Sequence, residues 1–538
     1  MIFLYFPAIP TACVQRPNTT LPNQGAIPDL TWLHVTHVCR RWRSISLGCP
    51  IIWTSISFKP PCSTPRFLER ARQAPLDIDV DWKRDGSRHY IDDVVALALE
   101  HLSHTRLVRL SNPPAGFVER MVAAFGQQGA DLLEHLHLSN VEEQKITLGA
   151  SISTIELPDR LFARPTSRLR RLIMNGRFRI TWRSQLFASH LTHLCLAISD
   201  SASVPTMDEL LSCLRACPLE VLLLHGCLPR HATQTPVVPL PDGHPFVDIP
   251  TLRVIRLSDL AVNVANLLRR LHIPADCRVE LGNQHEPHSA SAATTEALAT
   301  EVDHVLSRSS YASQDLSLQV MQYRPYNCTW TLSKLKTESS GSSGDASGYL
   351  IGPRSFTLTL ESQMRPTTFE EHIRNTNTFS GALIRISPLY HLGSVRILSI
   401  QALNPLLITR ESWVVLLREL RRLEIIQVSG HCSYTFGLAF ALLAPDQQIA
   451  PYLRQIDIRH AHFGYPLGPS GLSIQLENAF HMRNEVGALR PNVEFWNCRI
   501  SPAQLFQVET ALGGRVLVTG DPETWGVGDN ANDADLEG

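Results

Sequence analysis

The chain carries almost no net charge: its 49 Lys and Arg and 50 Asp and Glu leave −1. That balance excludes a global attraction to nucleic acid or to an anionic membrane. Charged residues make up only 18% and aromatic residues 7%, so nucleic-acid binding through a basic surface interleaved with aromatics is not expected. No run approaches the roughly 18 apolar residues of a membrane span. The apolar start MIFLYFPAIP lacks a basic flank and is interrupted by Pro7 and Pro10, so it is not read as a signal peptide. The expectation is an intracellular protein, cytoplasmic, nuclear or both, with no membrane partner. The twelve Cys include no Cys-x-x-Cys pair, which favours reduced, mostly buried thiols over a disulfide framework.

Catalytic patterns are missing too. There is no Gly-x-Ser-x-Gly elbow, P-loop, His-Glu-x-x-His or Gly-x-Gly-x-x-Gly. The paired histidines His34/His37, His101/His104, His135/His137 and His460/His462 lack the four convergent ligands of a structural zinc site. The sequence therefore predicts no enzyme, no cofactor and no metal. His135 and His137 are instead expected as exposed positions on one face of a strand.

What is present begins at residue 30. Leu30, Leu33, Val35, Val38, Trp42 and Ile45 recur at helical spacing. Arg40, Arg41 and Arg43 lie mostly off that face, and Gly48 and Pro50 stop the helix. Ile56 and Phe58 alternate with Ser55 and Ser57, which suggests a short strand. Upstream, Ile2–Phe6 is a short apolar run, and residues 7–28 have loop composition.

The residues Trp32, Val35, Val38-Cys39-Arg40-Arg41-Trp42-Arg43, Pro50 and Trp53 resemble the second half of an F-box as written in fungal F-box proteins. Ile2-Phe3-Leu4-Tyr5-Phe6 is similar to the end of that family's first helix. The Leu-Pro and acidic turn that usually open an F-box are absent before Ile2, so a truncated first helix is expected. The resemblance implies docking to a Skp-type adaptor, and through it to a cullin scaffold. It assigns Ile2, Phe3, Trp32, Val35, Val38, Cys39, Trp42, Pro50 and Trp53 to the adaptor-facing surface or to the module's own core.

Behind this stretch a theme recurs. Phe67, Leu68 and Ala71 suggest a helix, Leu76, Ile78 and Val80 alternate with Asp77, Asp79 and Asp81 as a strand does, and residues 91–102 read as an amphipathic helix. Segments of the form Leu-x-x-Leu-x-Leu then begin at Leu133, Leu169, Leu191, Leu219, Leu252, Val395, Leu423 and Leu453, with looser copies near Leu107 and Val493. They are mostly roughly 22 to 40 residues apart, close to the ~20–29 of leucine-rich repeats. Cys227 occupies that consensus's Asn/Cys position. One strand–helix unit cannot bury its own apolar face, so such units stack. Helices are expected at 207–216, 262–271, 413–420, 476–489 and 503–512. A strand at 278–281 and a polar loop at 284–295 follow the fifth copy. Leu316–Val320, Thr329–Leu332 and Phe356–Leu360 alternate as antiparallel strands would.

The local charge feature is Arg160 to Arg183, which holds eight Arg and no acid. Most of it reads as the solvated flank of a repeat. The sharper alternative is a patch for an acidic or phosphorylated partner, built from Arg164, Arg168, Arg170, Arg171, Arg177 and Arg179.

The expected fold is α/β: a small helical F-box-like module over 1–58, then an irregular leucine-rich-repeat-like solenoid over 59–520. The solenoid carries an insertion and a disordered loop near 337–348. Residues 521–538, with six acids and no Lys or Arg, form a disordered tail. The expected function is substrate recognition for a Skp–cullin–F-box ubiquitin ligase, the array holding a protein substrate of unknown identity. The alternative is a protein-binding repeat scaffold with a decayed F-box and no ligase role.

Overall fold

The structure, a computed structural model, describes residues 30–58, 61–85, 88–140, 154–164, 166–187, 190–198, 204–230, 246–274, 277–285, 316–324, 327–334, 355–362, 392–402, 409–430, 432–443, 449–463, 471–514 and 516–519. The expectations for 2–6, 7–28, 337–348 and 521–538 lie outside these residues, as does all of the 284–295 loop beyond His285.

A 3-10 helix over Leu30–His37, helix α1 (Arg40–Gly48) and a 3-10 turn over Pro50–Trp53 open the described chain. Next come α2 (Thr64–Ala71), β1 (Leu76–Asp81), α3 (Trp82–Asp85), α4 (Arg88–Leu99), β2 (Thr105–Ser111), α5 (Ala115–Gln127), β3 (His135–Asn140) and β4 (Ile155–Glu156). They lead into β5 (Arg171–Gly176), β6 (Phe178–Arg179), β7 (His193–Ile198), α6 (Met207–Ala216), β8 (Val221–His225), β9 (Val247–Asp248) and β10 (Val254–Asp259). After α7 (Ala261–Leu268), β11 (Leu271–His272) and β12 (Arg278–His285) stand three further strands, β13 (Leu316–Arg324), β14 (Asn327–Lys334) and β15 (Ser355–Ser362). The C-terminal part is β16 (Val395–Ala402), α8 (Arg410–Glu419), β17 (Ile425–Gly430), α9 (Cys432–Leu443), β18 (Gln455–Arg459), α10 (Leu472–Glu485), β19 (Asn492–Trp496), α11 (Pro502–Leu512) and β20 (Val516–Thr519).

Among the described residues, sixteen strands form one sheet in the order β1-β2-β3-β5-β7-β8-β10-β12-β15-β14-β13-β16-β17-β18-β19-β20. Neighbours are parallel except at β14, which runs antiparallel to β13 and β15. The meander therefore enters the sheet reversed: β15 pairs with β12, and β13 with β16. The fold is mixed α/β with a largely parallel sheet, as the alternating units imply.

The Leu-x-x-Leu-x-Leu segments explain why the strands stack. The first Leu is buried in the turn before the strand, as at Leu133, Leu191, Leu219, Leu423 and Leu453. The other two apolar residues share one strand face, because side chains alternate. Register places Leu136, Leu172, Leu194, Leu222, Ile255 and Val279 in one buried row, and Leu138, Met174, Leu196, Leu224, Leu257 and Leu281 in the next. Leu398, Ile426, Ile456 and Val493 continue this pattern beyond the meander. Each fully buried Leu or Ile contributes about 1.5–3 kcal/mol. On the C-terminal side the helices add an aromatic chain: Trp413 meets Phe436 at 5.1 Å, Phe436 meets Phe440 at 5.4 Å, and Phe440 meets Phe480 at 6.1 Å.

The strand exits repeat as well. At the strand exits, the backbone turns to positive φ at Asn112, Gly176, Gly226, Gly430, His460 and Asn497. Asn and Gly are the residues that best tolerate this conformation. The turned N–H can then reach the next strand: Asn112 N donates to Ser139 O at 2.6 Å, Gly226 N to Ser258 O at 2.8 Å and His460 N to Trp496 O at 2.9 Å. Gly176 is the tightest case, because a Cβ there would lie 2.2 Å from the Asn140 carbonyl oxygen. Just past three of these turns, buried Cys thiols donate to strand carbonyls: Cys227 to Leu196 O at 3.7 Å, Cys432 to Ser429 O at 3.1 Å and Cys498 to Ile458 O at 3.1 Å.

Several details differ from expectation. The helix expected from Leu30 to Ile45 breaks at Val38–Cys39, where Cys39 is extended and its sulfur accepts from Trp42 N at 3.5 Å. The N-cap geometry starts a new helix, so 3-10 and α segments replace one continuous helix. Ser55 makes only an isolated parallel bridge with Asp77. Helix α7 stops at Leu268 because Leu271–His272 pairs with Val247–Asp248. Helix α9 was not anticipated: CSYTFGLAFALL is apolar nearly all round, which hides its periodicity. Among the described residues no helix is long and apolar enough to cross a membrane.

Candidate protein-interaction surfaces

The N-terminal unit divides its apolar residues between core and surface. Trp53 is core: its indole N–H donates to Ser46 O at 2.9 Å and its ring meets Phe67 edge-on at 5.2 Å. The Arg70 guanidinium lies 4.3 Å above the same ring. Ile56 and Phe58 are buried, and Ile56 N donates to Asp77 O at 3.1 Å, which ties the unit to β1. Val38, Ile45 and Ile51 face outward, with 64%, 46% and 74% of their surface exposed. Cys39, Arg40, Arg41 and Arg43 are exposed, and Trp42 and Pro50 half-buried. Exposed apolar residues in so short a unit make it a candidate interaction surface. Trp32 and Val35 fall in the first 3-10 helix, but their side chains, like all of Ile2 and Phe3, lie outside the described residues.

The second surface is the sheet face opposite the leucine rows. At its start every Asp of β1 is matched by β2 or the turn after it: Asp77 by a bidentate Arg106 at 2.7 and 3.2 Å, Asp79 by Arg109 at 3.0 Å, and Asp81 by the Asn112 amide at 3.1 Å. The next strands change character. Register aligns His135 on β3, Arg171 on β5 and His193 on β7 in one row, and sets His137 beside Arg109 in the next. All four of these β3–β7 side chains are half-buried. Burial first, and the Arg171 guanidinium second, lower the pKa of both His135 and His193. Burial and then Arg109 push His137 down to about 4, and its Nδ1 is buried with no hydrogen-bond partner among the described residues. Among the described residues no ion pair or side-chain hydrogen bond holds the Arg171 guanidinium.

Further along, charges close on one another. Glu280 is buried between Arg256 and Arg278, the latter at 2.6 Å. On β18, buried Asp457 accepts from Gln427 at 3.0 Å and from Gln455 at 2.7 Å, with Arg459 at 3.6 Å. Arg459 also stacks over Trp496 at 5.5 Å, and the Trp496 indole donates to Glu494 at 3.2 Å.

The expected arginine patch is not one cluster. Arg164, Arg168 and Arg170 are exposed before β5, and Arg171 is its first residue. Arg177 and Arg179 lie past its far end, separated by a six-residue strand that spans roughly 20 Å. Arg164 also sits 3.8 Å from Asp131. Sequence reading missed the His135–Arg171–His193 row, because neighbours across strands are far apart in sequence. The repeat register was the available signal. Among the described residues no group of three or more His, Cys, Asp or Glu is placed to hold a metal ion. No family model matches the chain, and no curated protein matches it.

Proposed function

We propose that the chain is a substrate receptor of the Skp–cullin–F-box type, with residues 30–58 docking an adaptor and the sheet forming a leucine-rich-repeat-like solenoid whose open face holds a protein substrate. The observation that carries the adaptor half is the exposure of Val38, Ile45 and Ile51 on a unit in which Trp53 is fixed inward against Phe67. The half-exposed polar rows opposite the leucine rows support the recognition half. The receptor performs no chemistry; it holds the substrate near a charged conjugating enzyme and raises effective concentration.

The short α1 and the 3-10 winding before it favour a second reading: a protein-binding scaffold whose docking module has decayed. Pull-down of the full chain with a purified Skp-type adaptor separates the two. Under the receptor reading the adaptor is retained, and Ile51→Glu or Val38→Glu weakens retention by about tenfold or more, since buried interface apolar groups contribute on the order of 1–2 kcal/mol each. Both positions are exposed, so thermal unfolding stays unchanged. Absence of adaptor binding by the unaltered chain rejects the receptor reading and leaves the scaffold.

A further inference from the structure

We propose that the His135–Arg171–His193 row on β3, β5 and β7 is a proton-linked binding subsite for the side-chain carboxylate of an acidic peptide. This deepens the receptor reading by naming what the open face takes, and it does not require adaptor docking.

The geometry is specific. Strands in one sheet are about 4.8 Å apart, so the row places a guanidinium between two imidazoles within roughly 10 Å. Arg171 offers a planar fork that matches a carboxylate bidentately. Other open-face arginines are committed: Arg106 to Asp77, Arg109 to Asp79, Arg256 and Arg278 to Glu280. Arg171 has no such partner among the described residues.

Thr192 holds the His193 ring. The Thr192 hydroxyl donates to Arg170 O at 3.2 Å and lies 2.9 Å from His193 Nδ1. That contact engages Nδ1 and leaves Nε2 as the ring nitrogen available to a ligand. An arriving carboxylate stabilises the imidazolium, the form in which both ring nitrogens are donors. His135, lowered by burial and by Arg171, gains the same compensation. Binding therefore takes up protons and tightens as pH falls.

The surrounding charges choose the ligand. Around His135 stand Arg171 from β5, Arg106 and Asp77 from β2 and β1, and Glu134 just before its own strand. Around His193 stand Arg171, His135 and Glu220 just before β8. Arg109 lies beside His137 in the adjoining row. Glu134 and Glu220 repel a phosphoryl dianion more than a carboxylate, and a single fork suits a monoanion better than a doubly charged group.

The test uses the full chain and a fluorescein-labelled Gly-Glu-Gly-Glu-Gly peptide, with counterparts carrying Gln or phosphoserine in place of Glu. Anisotropy titrations are run in low salt at about pH 6 and about pH 8, values that bracket the ordinary range of histidine. The Glu peptide binds and the Gln peptide does not, and affinity falls about tenfold or more between the two pH values. Arg171→Gln weakens binding at the lower pH by about tenfold or more, and His193→Gln reduces the pH dependence. Arg422→Gln, an exposed site near β17, changes nothing. Unfolding curves of the variants confirm that they fold, and Arg171→Lys, which keeps the charge without the fork, gives an intermediate loss. Equal binding of Gln and Glu peptides, no effect of Arg171→Gln, a pH-independent affinity, or preference for the phosphoserine peptide overturns the proposal. Any of these outcomes leaves the separate adaptor pull-down unaffected.

Discussion

The open face holds charge in opposite ways at β3–β7 and at β17–β19. On β17–β19 the polar side chains pair with one another: Asp457 takes two amides and an ion pair with Arg459, whose Nε alone is left without a hydrogen bond among the described residues of this group, and Glu494 takes the Trp496 indole. On β3–β7 two imidazoles flank a guanidinium with no salt bridge among the described residues, and a third imidazole sits beside Arg109. Both regions sit on the same leucine rows and use the same strand-exit turn. The shared scaffold is thus separable from the surface chemistry, and the two regions fail differently when perturbed. A closed network resists ligands and loses stability when one member is removed; an open row tolerates removal and loses binding.

The largest expected effect tests the closed region. Asp457→Ala removes a carboxylate that is nearly inaccessible and leaves Gln427, Gln455 and Arg459 facing an empty position. Urea unfolding should show a loss of about 3 kcal/mol, the size found when one partner of a buried charged pair is deleted. A loss within about 0.5 kcal/mol, the usual range for surface changes, would mean that the network is not closed and would remove the contrast.

The scaffold was more legible in the sequence than the surface. Leu-x-x-Leu-x-Leu is local, and its period fixes both the strand and its buried face, so each of the full copies marks a strand. The clean alternation at Leu316–Val320, Thr329–Leu332 and Phe356–Leu360 likewise gave the antiparallel meander, though not its reversed place in the sheet, which depends on pairing with β12 and β16. The break at Cys39 was hidden because a thiol is a weak and uncommon N-cap. The surface was legible only in part. Arg171 stood out within an arginine-rich run, but the run is divided by β5, and the partners that matter, His135 and His193, come from neighbouring strands. A contact across strands becomes visible only when register is known.

An intermediate effect concerns pH. His137 has an ordinary pKa near 6.5 when unfolded and about 4 when folded. The unfolded chain therefore binds more protons between these values, so stability is full above about pH 6.5 and declines as pH falls toward about 4. The direction is the same for His135 and His193. His137 alone supplies up to about 3 kcal/mol of that decline at one linkage unit of 1.36 kcal/mol per pKa unit. His137→Leu, placed beside Ile173 in the row, should flatten the decline, read as urea unfolding at about pH 7.5 and about pH 5. A variant as acid-sensitive as the unaltered chain would show that the proton uptake lies elsewhere.

The smallest expected effect is the most discriminating. Arg171→Gln deletes a half-buried cation that has no salt bridge to lose among the described residues, so stability at neutral pH should stay within about 0.5 kcal/mol. The same change removes the charge that, after burial, lowers His135 and His193. Both imidazoles should therefore titrate at higher pH in the variant, while His137, whose neighbour is Arg109, should not move. Histidine side-chain NMR titration reads all three at once. A rise confined to His135 and His193 with unchanged unfolding would show that Arg171 acts on this face through charge alone. A large stability loss would instead mean that Arg171 is built into the scaffold, and the two regions of the face would then differ in degree rather than in kind.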